Sequence, residues 1–187
     1  MDELFIPVIA GTTRERRRSI YAAKLVEKIG NNQPGIRTQL VDPKDFTFPG
    51  EGDGKEAKDP SYTEITKNAD GFFIVTPEYN HSFPGTLKRM LDSELENYKH
   101  KPVALAGVSS GDWGGVRAIQ SLALVTRRLG MVDTFADMQF PRSKELFNEN
   151  GKIQDSAIND RVQKAWDELI WMTKVMKWGR ENLTRTS

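Results

Sequence analysis

The sequence predicts a doubly wound α/β fold, in which helices cover both faces of a five-stranded parallel sheet. Strand-like apolar runs alternate with amphipathic helical segments along the chain, and this alternation is typical of parallel sheets. Runs one, three and four are apolar throughout, as expected of central strands buried on both faces. Runs two and five are mixed and should lie at the edges, which gives the strand order 2-1-3-4-5.

The predicted strands span residues 4–10, 36–41, 71–76, 102–108 and 131–136. Pro7 argues against the first strand because it lacks a backbone donor, but the surrounding apolar pattern is strong. Helical spacing predicts four helices. The first carries Ala22, Leu25, Val26 and Ile29 and ends at Gly30, and the second begins at Pro84 and carries Leu87, Met90, Leu91 and Leu95. The third carries Ala118, Leu122, Val125 and Leu129, and the fourth is a long helix over about 156–181.

The segment 42–62 is polar and contains three closely spaced glycines, Gly50, Gly52 and Gly54. We interpret it as a long mobile loop, with Phe46 and Phe48 as anchors. Loops of this length are either functional or disordered, and the sequence leaves both alternatives open. No internal repeat or second domain is apparent, so residues 1–187 are expected to form one domain.

Composition excludes several classes of protein. The chain has 187 residues, a net charge of +1 and no cysteine, so disulfides, thiolate nucleophiles and a global nucleic-acid-binding field are excluded. The amino terminus resembles neither a signal peptide nor a membrane span, and a cytoplasmic location without membrane association is expected. The two histidines, His81 and His100, give little support to a metal site.

Three loops follow the three apolar strands: loop one (11–19), loop two (76–80) and loop three (109–115). Ligands of open parallel sheets bind at the carboxyl ends of the strands, so the three loops are expected to converge on one ligand. Loop one precedes a helix, whose free N–H groups favour an anion. Five residues of loop one have side chains that can donate hydrogen bonds to a phosphate: Thr12, Thr13, Arg14, Arg17 and Ser19. An ordinary turn capped by Ser19 is the alternative.

Loops two and three have the chemistry to hold a flat polar ring. Loop two contains Pro77, Glu78, Tyr79 and Asn80, which offer an aromatic face and amide groups; a capping turn before the Pro84 helix is the alternative. Residues 107–111 match G-x-S-x-G, the nucleophile motif of serine hydrolases. That fold needs a histidine after the serine, and both histidines precede Ser109. The glycines are better explained by close backbone approach to a ligand.

The stretch 76–88 (TPEYNHSFPGTLK) resembles the NADPH-dependent FMN reductase family, a flavodoxin-like group that includes quinone, azo-dye and chromate reductases. The resemblance extends from residue 4 to about 130. It implies that Thr12, Arg14 and Ser19 hold the FMN phosphate. It also implies that Pro77, Glu78, Tyr79 and Asn80 line the isoalloxazine, with Ser109, Ser110 and Gly111 at its pyrimidine edge. Four residues separate Arg14 from Ser19, more than in many members, which gives Arg17 a phosphate role as well.

The resemblance implies an FMN-dependent NAD(P)H oxidoreductase. Hydride passes from a nicotinamide to bound FMN and then to an acceptor such as a quinone, azo dye, metal oxyanion or free flavin. The flavin supplies the chemistry, so no catalytic side chain is named. Spare positive charge at Arg16, Arg17 and Arg18 favours NADPH over NADH. A non-enzymatic FMN electron carrier and a binding module that has lost the flavin are the alternatives.

The last predicted helix carries two apolar stripes. Ile158, Val162, Ala165, Leu169 and Met176 should pack on the sheet. Trp171, Val175 and Trp178 lie on roughly the opposite face, where exposed aromatic clusters usually mark an interaction site. The family resemblance also implies a homodimer or homotetramer. A tail folded over the tryptophans is the alternative.

Overall fold

Short parallel strand segments form the sheet of the computed structural model, which describes residues 3–183. These segments are β1 (Leu4–Phe5), β2 (Val8–Ala10), β3 (Ile36–Arg37), β4 (Leu40–Val41), β5 (Phe72–Pro77), β6 (Pro102–Val108), β7 (Val132–Asp133) and β8 (Met138–Phe140). The pairs β1/β2 and β3/β4 are halves of the first two predicted strands. The pairing order β4-β2-β5-β6-β7 corresponds to 2-1-3-4-5 in the predicted strands.

The first strand is interrupted at Pro7, yet its hydrogen bonds to the neighbouring strand continue past that residue. The amides of Leu4, Ile6 and Val8 donate to alternate carbonyls of residues 35–39, at 2.9, 3.0 and 2.9 Å. The Pro7 carbonyl also accepts from Phe73 N at 3.0 Å. Proline therefore removes one donor without displacing the strand.

The prediction of a single strand at 131–136 was wrong. The chain pairs with the lower half of β6 through β7, leaves the sheet, and pairs with its upper half through β8. Between them Phe135 projects into solvent with 88% of its surface exposed. In β8, Met138 and Phe140 are buried and Gln139 is not, an alternation that the sequence analysis overlooked.

Helices cover both faces of the sheet. They are α1 (Ser19–Asn31), α2 (Pro60–Asn68), α3 (Gly85–Asp92), α4 (Val116–Arg128), α5 (Ser143–Leu146) and α6 (Ala157–Asn182), with 3₁₀ turns at Pro43–Asp45, Lys55–Ala57 and Glu96–Tyr98. Helix α3 ends at Asp92, so Leu95 lies outside it, contrary to the prediction. In the described residues no helix is long and apolar enough to cross a membrane.

The segment 42–62 contains more regular structure than the predicted long loop, with 3₁₀ turns at Pro43–Asp45 and Lys55–Ala57. Its last part begins α2, because the Asp59 carboxylate accepts from the amides of Ser61 and Tyr62 at 2.9 and 3.3 Å and Pro60 occupies the first helical position. The predicted anchors pack as expected. The rings of Phe46 and Phe48 meet the ring of Tyr62 at centroid distances of 5.7 and 5.5 Å.

The buried apolar side chains form two clusters, one on each face of the sheet. The first joins the sheet to α1, α5 and α6, and the second joins it to α2, α3 and α4. Four residues of the predicted inner stripe of α6 are buried in the first cluster, whereas Met176 is only partly buried. The outer stripe is exposed as predicted, at 60% for Trp171, 45% for Val175 and 59% for Trp178.

Ion pairs join α6 to the end of the sheet that is opposite the three loops. The Asp70 carboxylate accepts from the Phe5 amide at 3.0 Å and pairs with Lys177 and Arg180 of α6 at 3.2 and 3.3 Å. Nearby, Lys101 Nζ donates to the carbonyls of Thr66 and Lys67 at the end of α2. Burial lowers the pKa of Lys101 to about 8. These contacts fix the far ends of α2 and α6.

Candidate functional site

The three loops meet at the carboxyl edge of the sheet and line a cleft of about 530 Å³. This volume is within the range of about 300–1,000 Å³ that is usual for small-molecule sites. The lining residues are Arg14, Arg16, Arg18, Ser19, Pro77, Glu78, Tyr79, Val108, Ser109, Ser110, Gly111, Trp113, Arg117, Ser143 and Lys144.

Most of the predicted site residues lie along this cleft. Those that line it are Arg14, Ser19, Pro77, Glu78, Tyr79, Ser109, Ser110 and Gly111. Four predicted residues do not: Thr12, Thr13, Arg17 and Asn80. Thr13 is exposed beside Thr12 in loop one.

One end of the cleft has the chemistry of an anion site. Arg18 stands at the cap position of α1 with φ −80° and ψ −19°, and no side chain caps the helix. The first turn contains no acidic residue, and Ser19 begins the helix rather than capping it. The Tyr21 amide donates to the Arg18 carbonyl at 3.0 Å, so the N–H groups of Ser19 and Ile20 are the ones that can meet an anion. Arg14, Arg16 and Arg18 line the same end and add positive charge.

Thr12 connects loop one to loop two from beneath the cleft. It is 3% exposed, and its hydroxyl lies 3.1 Å from the Tyr79 hydroxyl. The same Oγ1 accepts from the Arg14 amide at 3.3 Å. The Arg14 guanidinium carbon stands 5.3 Å from the centre of the Tyr79 ring. Thr12 thus holds together the two residues that flank the phosphate end.

Arg17 turns away from the cleft. Its guanidinium donates to the Thr12 carbonyl and forms an ion pair with the Asp42 carboxylate. The cleft is instead lined by the neighbouring Arg16, which adopts a left-handed φ of 53°, and by Arg18. Arg18 Nη1 donates to the Phe147 carbonyl at 2.7 Å, which ties loop one to the chain after α5.

Loop two forms a tight turn after β5. Tyr79 and Ser82 exchange two backbone hydrogen bonds of 2.8 and 2.9 Å, and Asn80 and His81 occupy the tip with φ of 50° and 65°. Asn80 is exposed at this tip. The Glu78 carboxylate accepts from the Arg117 amide at 3.3 Å and pairs with the Arg117 guanidinium at 3.5 Å. Glu78 therefore joins loop two to the first turn of α4, the helix that follows loop three.

Loop three lies directly on β6, and glycines make this possible. A Cβ on Gly107 would lie 2.5 Å from the Gly115 carbonyl oxygen, and one on Gly115 would lie 2.6 Å from Val108 N. These glycines were expected to approach a ligand, but the atoms they approach are backbone atoms of this chain. Gly111 differs, because a Cβ there would meet no atom within 4 Å. It leaves its side of the cleft open.

The structure gives no support to a serine hydrolase. Ser109 Oγ donates to the Gly111 carbonyl at 3.0 Å, within its own loop. A serine nucleophile would need a base as its hydrogen-bond partner. Within residues 3–183, no group of three or more His, Asp or Glu residues is placed to hold a metal ion.

Five lining residues were absent from the sequence-based prediction of the site: Val108, Trp113, Arg117, Ser143 and Lys144. Trp113 stands in the Gly-rich run of loop three and is 69% exposed. Ser143 and Lys144 follow β8, so they were missed together with that strand. A search for polar residues after every predicted strand would have found them only if β8 had been recognised.

The arrangement defines the class of the protein. Doubly wound proteins bind mononucleotides at the carboxyl edge of the sheet, with the phosphate at a helix N-terminus. The cationic, uncapped start of α1 suits the phosphate of FMN, and the opening between Tyr79 and Gly111 suits a flat ring. The protein is a flavodoxin-like flavoprotein.

Comparisons with known proteins identify the family. The sequence profile of the NADPH-dependent FMN reductase family matches residues 5–143. An NAD(P)H-dependent FMN reductase of Pseudomonas aeruginosa is 25% identical over 186 residues, which cover 93% of this chain and 98% of the relative. A quinone reductase of Pseudomonas putida is 26% identical over 163 residues, 80% of this chain and 84% of the relative.

A solved structure agrees in fold. The flavoenzyme NAD(P)H:(acceptor) oxidoreductase from Paracoccus denitrificans superposes with a TM-score of 0.74 at 20% identity, covering 90% of this chain and 98% of that one. The chain belongs to the NADPH-dependent FMN reductase family. It is an NAD(P)H-dependent oxidoreductase with FMN as its cofactor.

Proposed function

We propose that this protein, acting as one FMN-binding domain, transfers electrons from NADPH to a small-molecule acceptor. A quinone, which takes up one electron pair, is the acceptor we favour; an azo dye, a metal oxyanion and free flavin are the alternatives. The observation that carries the proposal is one open cleft with a cationic helix N-terminus at one end and an exposed aromatic residue, Trp113, at its rim. The similar protein from Pseudomonas putida is a quinone reductase, which is consistent with this choice.

The lining residues suggest how FMN is held. Arg14, Ser19 and the first N–H groups of α1 would bind the phosphate. Pro77, Glu78 and Tyr79 would line the ring, and the backbone of Ser109 to Gly111 would face its pyrimidine edge. When bound, FMN supplies the ability to accept and donate a pair of electrons. The chain's own residues bind and orient the reactants, and no side chain is assigned a proton-transfer step.

The charge of the cleft supports a second anionic ligand. Five cationic side chains line it, namely Arg14, Arg16, Arg18, Arg117 and Lys144, against one carboxylate, Glu78. Glu78 is already paired with Arg117. A single phosphate monoester does not need the remaining four cations, whereas both nicotinamide dinucleotides carry a pyrophosphate and NADPH carries a further 2′-phosphate. Arg16, Arg18 and Lys144 would attract this additional charge, so we expect higher kcat/KM with NADPH than with NADH.

The test is anaerobic reduction of the FMN-loaded protein by NADPH, followed by addition of a quinone, an azo dye, chromate or free FMN. We expect the flavin absorbance to bleach and then return with the quinone, with sustained turnover. Rapid bleaching without turnover on any acceptor would indicate an electron carrier instead. Absence of a flavin spectrum after reconstitution would indicate a binding module without FMN, and would contradict the proposal.

Replacing Arg14 with alanine is expected to weaken FMN binding by about 1.5–3 kcal/mol, because the phosphate loses a charged hydrogen bond. The measurement is the dissociation constant from flavin fluorescence quenching. Arg37→Ala is a matched control, since Arg37 also lies over an aromatic ring, at 3.7 Å from the centre of Phe5, but is outside the cleft. Equal affinities of Arg14→Ala and wild type would remove the phosphate role from Arg14.

We also propose a homodimer or homotetramer that buries the outer stripe of α6. Light scattering on the wild type should give a multiple of the monomer mass, and Trp171→Glu with Trp178→Glu should reduce it, because each substitution places a charge in an apolar contact. Phe135→Glu is the control, since Phe135 is 88% exposed but is not part of α6. A monomeric wild type, or an unchanged mass in the folded double variant, would contradict this interface.

A cytoplasmic location, with no nucleic-acid or membrane partner, remains our expectation for the whole chain. It rests on the near-neutral net charge of the sequence. Cell fractionation with an antibody against the native protein would test it, and recovery in the membrane fraction would count against it.

A further inference from the structure

The Arg17–Asp42 ion pair lies behind loop one, outside the cleft. The two side chains are 9% and 17% exposed, and the guanidinium of Arg17 contacts two groups at once. One nitrogen, Nη2, pairs with the Asp42 carboxylate, and the other, Nη1, donates to the carbonyl of Thr12. Arg17 therefore connects the start of loop one to a residue from a different strand.

Asp42 is well placed to fix this arginine. It follows β4, whose register on β2 pairs Val8 with Leu40 and Ile9 with Val41. By this register Asp42 stands beside Ala10, the last residue of β2 before loop one. Its second oxygen, Oδ1, accepts from the Lys44 amide at 3.0 Å, which fixes the orientation of the carboxylate.

The contacts of Thr12 transmit this restraint to the cleft. Its carbonyl is held by Arg17, while its hydroxyl meets Tyr79 and the Arg14 amide. Because a peptide unit is planar and trans, holding the Thr12 carbonyl on Arg17 directs the Thr13 N–H to the opposite side. The path of the chain from Thr12 to Arg14 is thereby determined, and a carbonyl oxygen is kept away from the anion site.

We propose that Asp42 is a positioning residue for the phosphate end of the FMN site, acting through Arg17 on loop one. The proposal rests on the proposed FMN site. It replaces the role expected for Arg17: the arginine shapes the phosphate site from behind instead of binding the phosphate itself.

The direction in which FMN affinity changes in the Asp42→Ala variant distinguishes a positioning role from a purely electrostatic one. If charge alone mattered, removing the carboxylate in Asp42→Ala would strengthen the binding of an anion. If Asp42 positions loop one, the same substitution should weaken FMN binding, by about ten- to hundredfold, as for loss of an oriented charged hydrogen bond. Asp45→Ala is the control, because it removes an exposed carboxylate from the same turn.

The experiment measures dissociation constants for FMN and for riboflavin, which lacks the phosphate. We expect Asp42→Ala to weaken FMN but leave riboflavin within about twofold. Arg17→Met should behave alike, and the double variant should be no weaker than either single one, because the residues act as a unit. If Asp42→Ala does not fold, Asp42→Asn is measured instead, with the same expectations.

Unchanged or tighter FMN binding in Asp42→Ala would overturn the inference, as would an equal loss for riboflavin or additive effects in the double variant. These outcomes leave the proposed function standing, since the wild type still binds FMN. If the wild type binds neither ligand, the proposed FMN site itself fails.

Discussion

Gly115→Ala is expected to destabilise the protein by about 2–4 kcal/mol, the sum expected for a strained backbone and a steric overlap. Gly115 has φ of +85°, and a Cβ would lie 2.6 Å from Val108 N and 2.8 Å from Gly107 C. Neither backbone atom can move without breaking the pairing of β6. Loop three should therefore lift from β6, and FMN affinity should fall at least about tenfold because the loop carries one edge of the site.

Chemical denaturation measures the stability of the Gly115→Ala variant, and FMN titration measures its affinity. Two other glycines serve as controls in both measurements. Gly179→Ala, in the last turns of α6, would place its Cβ 3.7 Å from the nearest atom, so neither stability nor affinity should fall. Gly111→Ala has open space and should keep the stability, yet it should weaken FMN where the ring edge approaches. A stable Gly115→Ala with normal FMN affinity would mean that loop three tolerates displacement.

Trp166→Ala should cost about 3–5 kcal/mol of unfolding free energy, the range for removing a large buried aromatic side chain. Trp166 is fully buried, its ring centroid lies 5.3 Å from that of Phe73, and Nε1 donates to the Val26 carbonyl at 2.9 Å. A Cβ on Gly30 would lie 2.3 Å from its ring, so α1 and α6 approach closely around this side chain.

Denaturant unfolding of the FMN-free protein measures this effect directly. Phe135→Ala is the control, because Phe135 is 88% exposed and its loss should change stability by less than about 0.5 kcal/mol. Trp166→Phe should recover part of the lost stability by refilling the cavity. A loss below about 1 kcal/mol in Trp166→Ala would show that the α1–α6 layer repacks around the missing ring.

Strand polarity predicted the sheet order because central parallel strands are buried on both faces and edge strands are not. The sequence pattern did not reveal helix α2 or strand β8. Helix α2 was hidden by its polar exposed face, although Asp59 followed by Pro60 is a helix-start signal. Strand β8 was missed because it spans only three residues and lies beyond the break in sheet pairing around Phe135, which local periodicity cannot anticipate.

The lining of the site was predicted where it depended on strand ends, and less well where it depended on side-chain direction. Loops two and three supply Pro77 to Tyr79 and Ser109 to Gly111 to the cleft, as the topology requires. Which arginine of the run 16–18 faces the cleft could not be read from the sequence. That choice depends on Asp42, whose place beside loop one is set by the pairing of β4 with β2.

The division of the apolar core by the sheet also divides the cleft. Loop one leads into α1, which belongs to one cluster, whereas loops two and three lead into α3 and α4, which belong to the other. Substitutions in the two layers share few partners and should combine additively. Changes in the core layer behind the phosphate can therefore be made without changing the layer behind the ring, and the Thr12–Tyr79 contact is where the two halves of the site meet.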